Sequence, residues 1–317
     1  MPPIDKYPKT GYSLSVNLVV PFFECSMPVQ TLFSEERITV PFRTQLLKWI
    51  GNKQRFAHEI ISYFPENYRF YHEPFLGSGA ILGTLYPTRA FASDIFEPLI
   101  QIWTTLHDNP DLLKTWYKDR WIRMEKKEKA TVYEEIKTSY NRSPNAADLL
   151  FLCRACYGGV VRFRKIDGFM STPCGIHRPI DPMTFSHRVD LWRERTKNVF
   201  FRRLDYRDAL RETQKGDLVY CDPPYSDSQS ILYGAQNFDL NELFLEIERC
   251  KRKGVHVVLS IDGKKNSGKK DCLIQPPKDL FEREVFVNCG PSMLKRFQME
   301  GKTLEKYCIA DRLLLTY

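Results

Sequence analysis

Leu218-Val219-Tyr220-Cys221-Asp222-Pro223-Pro224-Tyr225 is the stretch from which the rest of the chain can be read. Its first four residues are β-branched, aromatic or apolar and show no helical period, which predicts a buried strand. Two prolines then stop the strand, since neither can donate to a ladder, and Asp222 is left at its carboxyl end. Open α/β sheets bind ligands along that edge. A rigid turn with a carboxylate, a carbonyl that no neighbouring strand uses and an aromatic face suits a flat base held by its exocyclic amine. A plain strand-ending turn is the competing reading, and the surrounding sequence has to decide between them.

Other strands end in the same way. Arg69-Phe70-Tyr71-His72-Glu73 predicts a strand that runs into the turn Phe75-Leu76-Gly77-Ser78-Gly79-Ala80, with a helix starting at Ile81-Leu82. Residues 89–93 predict a strand ending at Asp94, and residues 199–204 one ending at Asp205-Tyr206. A helix near 239–252 leads into the strand His256-Val257-Val258-Leu259-Ser260, and further strands are expected at 284–288 and 307–316. Strands alternating with helices predict an α/β fold with a mostly parallel, doubly wound sheet. Before the first strand, apolar residues at Leu46, Leu47, Ile50, Ile60, Ile61 and Phe64 recur at helical spacing from Phe42 onward, with Gly51 as a weak point. Charged helical pattern follows Asp94 to about residue 140, and the lysine- and glycine-rich residues 264–270 read as a mobile loop.

The 317 residues, 43% hydrophobic and 27% charged, suffice for one large domain or one domain with an insertion. No apolar stretch is long enough to span a bilayer, and Met1-Pro2-Pro3-Ile4-Asp5-Lys6 lacks the pattern of a secretory signal. Nine scattered cysteines, among them Cys221, Cys250 and Cys308, predict reduced thiols and a cytoplasmic protein. The net charge of +8 is concentrated in residues 114–215, which hold 23 Lys+Arg against 13 Asp+Glu; the remainder holds 24 against 26. That surplus is the footprint of a phosphate-contacting surface, with a solvated charged face as the alternative.

Taken together, the strand ends bring Glu73, the Gly77-Ser78-Gly79 turn, Asp94, Asp205-Tyr206 and Asp222-Pro223-Pro224-Tyr225 to one sheet edge. Glycines let a ligand approach the backbone closely, and a carboxylate after the second strand suits a ribose diol. The turn lacks the third glycine of the dinucleotide fingerprint, which argues against a nicotinamide-dependent dehydrogenase. A nucleoside ligand fits better.

Lys48-Trp49-Ile50-Gly51-Asn52-Lys53, Glu73-Pro74-Phe75-Leu76-Gly77-Ser78-Gly79-Ala80, Ser93-Asp94-Ile95 and Asp222-Pro223-Pro224-Tyr225 resemble, in order, the motifs of Dam-type (DPPY, alpha-group) DNA adenine-N6 methyltransferases. The resemblance spans roughly residues 40–317 and implies a seven-stranded methyltransferase sheet that binds S-adenosylmethionine. It further implies a catalytic domain of residues 41–115 and 196–317, a mostly helical target-recognition domain of residues 116–195, and an extension, residues 1–40, of no assigned role. By resemblance, Trp49, Lys53, Glu73, Phe75, Gly77, Gly79, Asp94, Ile95, Asp205, Tyr206 and Asp222 border the cofactor. Asp222, Pro223, Pro224 and Tyr225 hold the flipped adenine.

Tyr157-Gly158-Gly159-Val160-Val161-Arg162 resembles the family's recognition stretch, with Gly158 where an asparagine usually stands. Tyr157, Gly158, Arg162, Arg164 and Lys48 are the expected contacts to double-stranded DNA, with Arg162 suited to a bidentate contact with guanine. That departure at Gly158 puts one base contact, and the family's common target, in doubt. A restriction-modification role, with a cognate endonuclease that forms no stable complex, is expected alongside a solitary or phage-borne role. Cytosine-N4 or RNA adenine methylation, and a catalytically dead DNA-binding protein, are the alternatives. Cys153-x-x-Cys156 and Cys174-x-x-His177 have spacing close to a zinc ribbon. Cys153 and Cys156 fall in an apparent helix and the family's recognition domain is normally metal-free, so no metal is expected.

Overall fold

β-Branched and aromatic runs form seven strands in the computed structural model: β1 (Tyr71–Glu73), β2 (Ala90–Asp94), β3 (Val199–Arg203), β4 (Leu218–Cys221), β5 (His256–Asp262), β6 (Arg283–Pro291) and β7 (Cys308–Leu315). The structure describes residues 41–49, 51–164, 166–224, 238–262, 274–291 and 308–317, so the predicted extension, Tyr225 and the loop 264–270 lie outside the described residues. Strand order is β3-β2-β1-β4-β5-β7-β6. The first five strands in that order are parallel, while β7 runs antiparallel to both β5 and β6. This is the expected seven-stranded α/β sheet.

Side chains alternate along a strand, so a sheet covered on both faces sorts its strand residues into two cores. Tyr71, Leu218, Tyr220, Val258, Leu313 and Leu315 join one cluster; Val219, Cys221, Val257, Leu259, Ile261 and Leu314 join the other. The second cluster is covered by α8 (Tyr206–Arg211) and α9 (Leu240–Arg252), which begin at the caps Asp205 and Asp239. Each cap accepts a hydrogen bond from a first-turn amide, satisfying one of a helix start's unpaired donors.

Between β2 and β3 the chain builds helices α3 (Glu97–Asp108), α4 (Pro110–Lys126), α5 (Lys129–Arg142), α6 (Ala146–Ala155) and α7 (Pro182–Arg195). Every residue of α6 except Ala147 is buried, making it the helix the others wrap. Two shorter helices, α1 (Ala57–Ile61) and α2 (Ala80–Leu85), flank β1. Among the described residues no helix is long and apolar enough to cross a membrane.

One expectation is overturned. The described residues of 41–54 are not helical, although Leu46 and Leu47 are buried. Their backbone carbonyls are taken by side chains from elsewhere rather than by amides four residues on. Gln54 donates to the Phe42 carbonyl, Trp192 to Thr44, Arg188 and Arg154 to Gln45, and Arg154 also to Leu46. Apolar residues at helical spacing here pack an irregular segment whose polar backbone is satisfied from outside.

Candidate active site

The parallel strands end where Asp222 leaves β4 and Glu73 leaves β1. Lys53 reaches the same edge from the irregular segment and is itself buried. Its ammonium lies 3.3 Å from Asp222 Oδ1 and 2.8 Å from Asp311 Oδ2. Glu73 is fully enclosed and accepts a 2.7 Å hydrogen bond from the Tyr71 hydroxyl. Burial pushes the Glu73 carboxyl up to about 8, and the charge of Asp222 adds to that against the opposing Tyr71 hydrogen bond. At neutral pH Glu73 therefore holds its proton.

The glycine turn is shaped by aromatic rings. Gly77 (φ +49°) and Gly79 (φ +63°) occupy the left-handed region. A Cβ on Gly77 would sit 3.4 Å from Trp49 Cδ1, and one on Gly79 would press within 3.1 Å of the Trp103 ring. Trp103 also donates from Nε1 to the Gly77 carbonyl at 3.1 Å. From below the turn, Asp94 accepts from the Gly77 amide at 3.1 Å through Oδ2 and from the Phe96 amide at 3.0 Å through Oδ1. Burial nevertheless raises the Asp94 pKa, outweighing those amide donors. Trp49 is buried and lies against Phe96, with ring centroids 6.3 Å apart.

Phe75 stacks on Tyr206 at 5.2 Å, and Phe238 closes the trio edge-on to both. Phe75 is half-buried and Tyr206 buried, so an aromatic wall stands at the ends of β1 and β3. Asp205, besides capping α8, lies 3.5 Å from Arg207. Ile95, just past the end of β2, is 53% exposed and so open enough to meet a ligand.

The residues expected to meet DNA are built by the segment after α6. Tyr157–Gly159 forms a single 3-10 turn with Gly158 at φ +64° and Gly159 at φ +69°. Asparagine is the side-chain-bearing residue that best tolerates that region, so Gly158 keeps the backbone shape while removing the amide. A Cβ on Gly159 would meet Lys48 Cβ at 2.8 Å. The Lys48 stem thus lies on this glycine turn. Burial and the charges of Arg154 and Arg188 lower the Lys48 pKa.

Beyond the turn, Phe163 bridges to Met170, Arg164 N donates to Phe169 O at 2.8 Å and Ser171 N to Arg162 O at 2.9 Å, forming a hairpin. Ile166 near its tip is 91% exposed. The Arg162 side chain is exposed, whereas Arg164 pairs with Asp167 and lies over the Phe169 ring. Cys156 and Cys174 are cross-strand neighbours, Cys153 is buried within α6 and His177 is exposed. Burial pushes the Cys156 thiol up to about 12. Among the described residues no three His, Cys, Asp or Glu side chains are grouped to hold a metal ion.

Residues 49–272 match the family model of the D12 class N6 adenine-specific DNA methyltransferase. The chain belongs to that family. By that descent it is an adenine-specific DNA methyltransferase. It is 25% identical over 233 residues to the type II methyltransferase M1.LlaDCHI of Lactococcus lactis subsp. cremoris, covering 67% of this chain and 79% of that one. The retron Ec67 DNA adenine methylase of Escherichia coli is 28% identical over 224 residues, 68% of this chain and 76% of its own. The DNA adenine methylase of Salmonella typhi is 28% identical over 185 residues, 57% of this chain and 64% of its own.

Three features of this D12-class protein are not legible in the sequence as site residues. Trp103 and Trp192 are apolar positions on helices, and nothing in their spacing marks them as the wall of a glycine turn. Gly83 sits inside α2 where a Cβ would come within 2.6 Å of the Trp192 ring; a mid-helix glycine is the available signal. Asp311 lies about ninety residues past Asp222, in a run that reads only as a strand.

Proposed function

We propose that this protein methylates N6 of an adenine flipped out of duplex DNA, with S-adenosylmethionine as donor. The observation that carries the reading is the buried Lys53 set between Asp222 and Asp311 at the strand edge that also holds Glu73 and the glycine turn. S-adenosylmethionine fits the residues present: it is cationic and the edge is rich in carboxylates, and the turn is one in which side chains at Gly77 and Gly79 would crowd Trp49 and Trp103. When bound it supplies an electrophilic methyl group on a sulfonium.

Trp49, Gly77 and Gly79 would line the donor, Asp94 and Ile95 its ribose, and Phe75, Asp205 and Tyr206 its base, with Glu73 and Lys53 beside the amino-acid end. The N6 amine is a poor nucleophile because its lone pair is conjugated into the purine. Asp222 and the Pro223 carbonyl accept hydrogen bonds from its two N–H groups and favour a tetrahedral nitrogen with an available pair. As the N–C bond forms and the donor's S–C bond breaks, Asp222 takes the one proton released. Positioning then supplies most of the barrier reduction. Pro224 fixes the turn; Tyr225, outside the described residues, stacks on the base. An amine paired and stacked in a duplex is reachable only by flipping the base.

On the DNA side, Arg162 reads a base edge, Tyr157 props the stack opened by flipping, and Lys48 and Arg164 meet phosphates. Residues 116–195 act as the target-recognition domain within a catalytic domain of residues 41–115 and 196–317. The type II names of some relatives support a restriction-modification role. The test is Asp222→Ala: methyl transfer to duplex DNA is lost while DNA binding survives, and nucleoside digestion of the wild-type product yields N6-methyladenine. Retained transfer by the variant, or methylcytosine in the digest, overturns the reading.

A further inference from the structure

We propose that Asp311 is a positioning residue that anchors Lys53 so that Asp222 stays available to the target amine. The inference rests on the reading that Asp222 accepts a hydrogen bond from that amine. Lys53 stands nearer to Asp311 (2.8 Å) than to Asp222 (3.3 Å), and the Lys53 and Asp311 side chains are both more than nine-tenths buried. Among the described residues Lys53 is the only ion-pair partner of Asp311.

The topology explains why so distant a residue arrives there. Strand β7 is antiparallel to β5, so its early residues lie at the edge where the parallel strands end. Asp311 is in register with Asp262 at the end of β5 and with Val287 of β6. The next residue, Arg312, points to the opposite face and pairs with Glu284 instead. Alternation along the strand therefore delivers Asp311, and not its neighbour, to Lys53.

The physical consequence concerns competition for one carboxylate. An ammonium held by Asp311 stabilises the charge on Asp222 from 3.3 Å without collapsing onto it. With Asp311 neutral, its pull on the ammonium no longer offsets that of Asp222, and the ammonium closes on the carboxylate that the amine would use. Asp311 touches neither donor nor base in this scheme. It acts through Lys53 alone.

The experiment is a double-mutant cycle of Asp311→Asn and Lys53→Met, read as kcat and KM for duplex DNA under saturating donor. Asp311→Asn should lower kcat by roughly tenfold or more while KM changes by less than about twofold. In the Lys53→Met background the same change should cost nothing or restore activity, because the competing ammonium is gone. An equal loss in both backgrounds, or a wild-type kcat for Asp311→Asn alone, overturns the proposal. Asp311→Ser closes the same cycle if the asparagine variant does not fold. Activity retained by Asp222→Ala would sink the underlying reading instead, and an inactive Asp222→Ala with an additive cycle sinks this inference only.

Discussion

The indole of Trp103 donates a 3.1 Å hydrogen bond to the carbonyl of Gly77. Trp103 is buried on α3, stacked on Phe201 of β3 and tilted against Trp192 of α7. The glycine turn is thereby fastened to the first helix of the excursion between β2 and β3, and through it to the last. Trp103→Phe keeps most of the ring and removes the donor. It should cost about 1 kcal/mol of stability and weaken donor binding more than DNA binding, as calorimetric titration with each ligand would show.

Glu73 gives a pH dependence of definite sign. Its folded-state pKa is raised, to about 8, so its contribution to stability is complete below the ordinary glutamate value and is lost as pH rises toward 8. Glu73→Gln cannot ionise and keeps an acceptor for the Tyr71 hydroxyl. A tenfold difference in proton affinity between folded and unfolded chains corresponds to about 1.4 kcal/mol. The variant should therefore gain on wild type by on the order of 2 kcal/mol between about pH 5 and pH 8. Denaturant unfolding at the two pH values measures it. A constant difference would mean that Glu73 is ionised in the native protein.

Asp217 predicts the opposite behaviour. Burial favours its neutral form, but His72 and Arg69, with the Gln214 amide, outweigh that and hold its pKa well below the usual carboxylate range. A depressed pKa contributes stability above the unfolded value of about 3.9, and that stability is lost as pH falls below it. Asp217→Asn should destabilise the protein by about 3 kcal/mol at pH 7, with the gap to wild type narrowing in acid. Thermal melts from neutral pH down to about pH 3 test this.

The two glycines of the Tyr157–Gly159 turn should answer differently to substitution. Gly158→Asn fits the left-handed backbone and should leave stability within about 0.5 kcal/mol of wild type. Gly159→Ala places a methyl group 2.8 Å from Lys48 Cβ at φ +69°. It should destabilise by roughly 1–3 kcal/mol, on the order of other strained positions, and weaken DNA binding by displacing Lys48. Unfolding and DNA titration of both variants decide it; equal behaviour would separate Lys48 from the turn.

Much of the sheet is readable in the sequence because short apolar runs with β-branched and aromatic residues end in Asp, Glu or Pro. Val199–Arg203, Leu218–Cys221 and His256–Asp262 appear where that pattern places them. The stretch from Phe42 misleads because burial alone also spaces apolar residues. Only the donors Arg154, Arg188 and Trp192, over a hundred residues away, reveal that its carbonyls need no helix. Local motifs expose Lys53 and Asp222, but Asp311 carries no motif. Its place depends on the direction and register of β7, which no local pattern encodes.

Strand β7 is inserted between β5 and β6 instead of being added at a border. A nascent chain can assemble the parallel strands while still on the ribosome, yet Lys53 lacks its second carboxylate until residue 311 has been translated. A product truncated before β7 would carry every recognisable motif and still lack the Asp311 carboxylate beside Lys53.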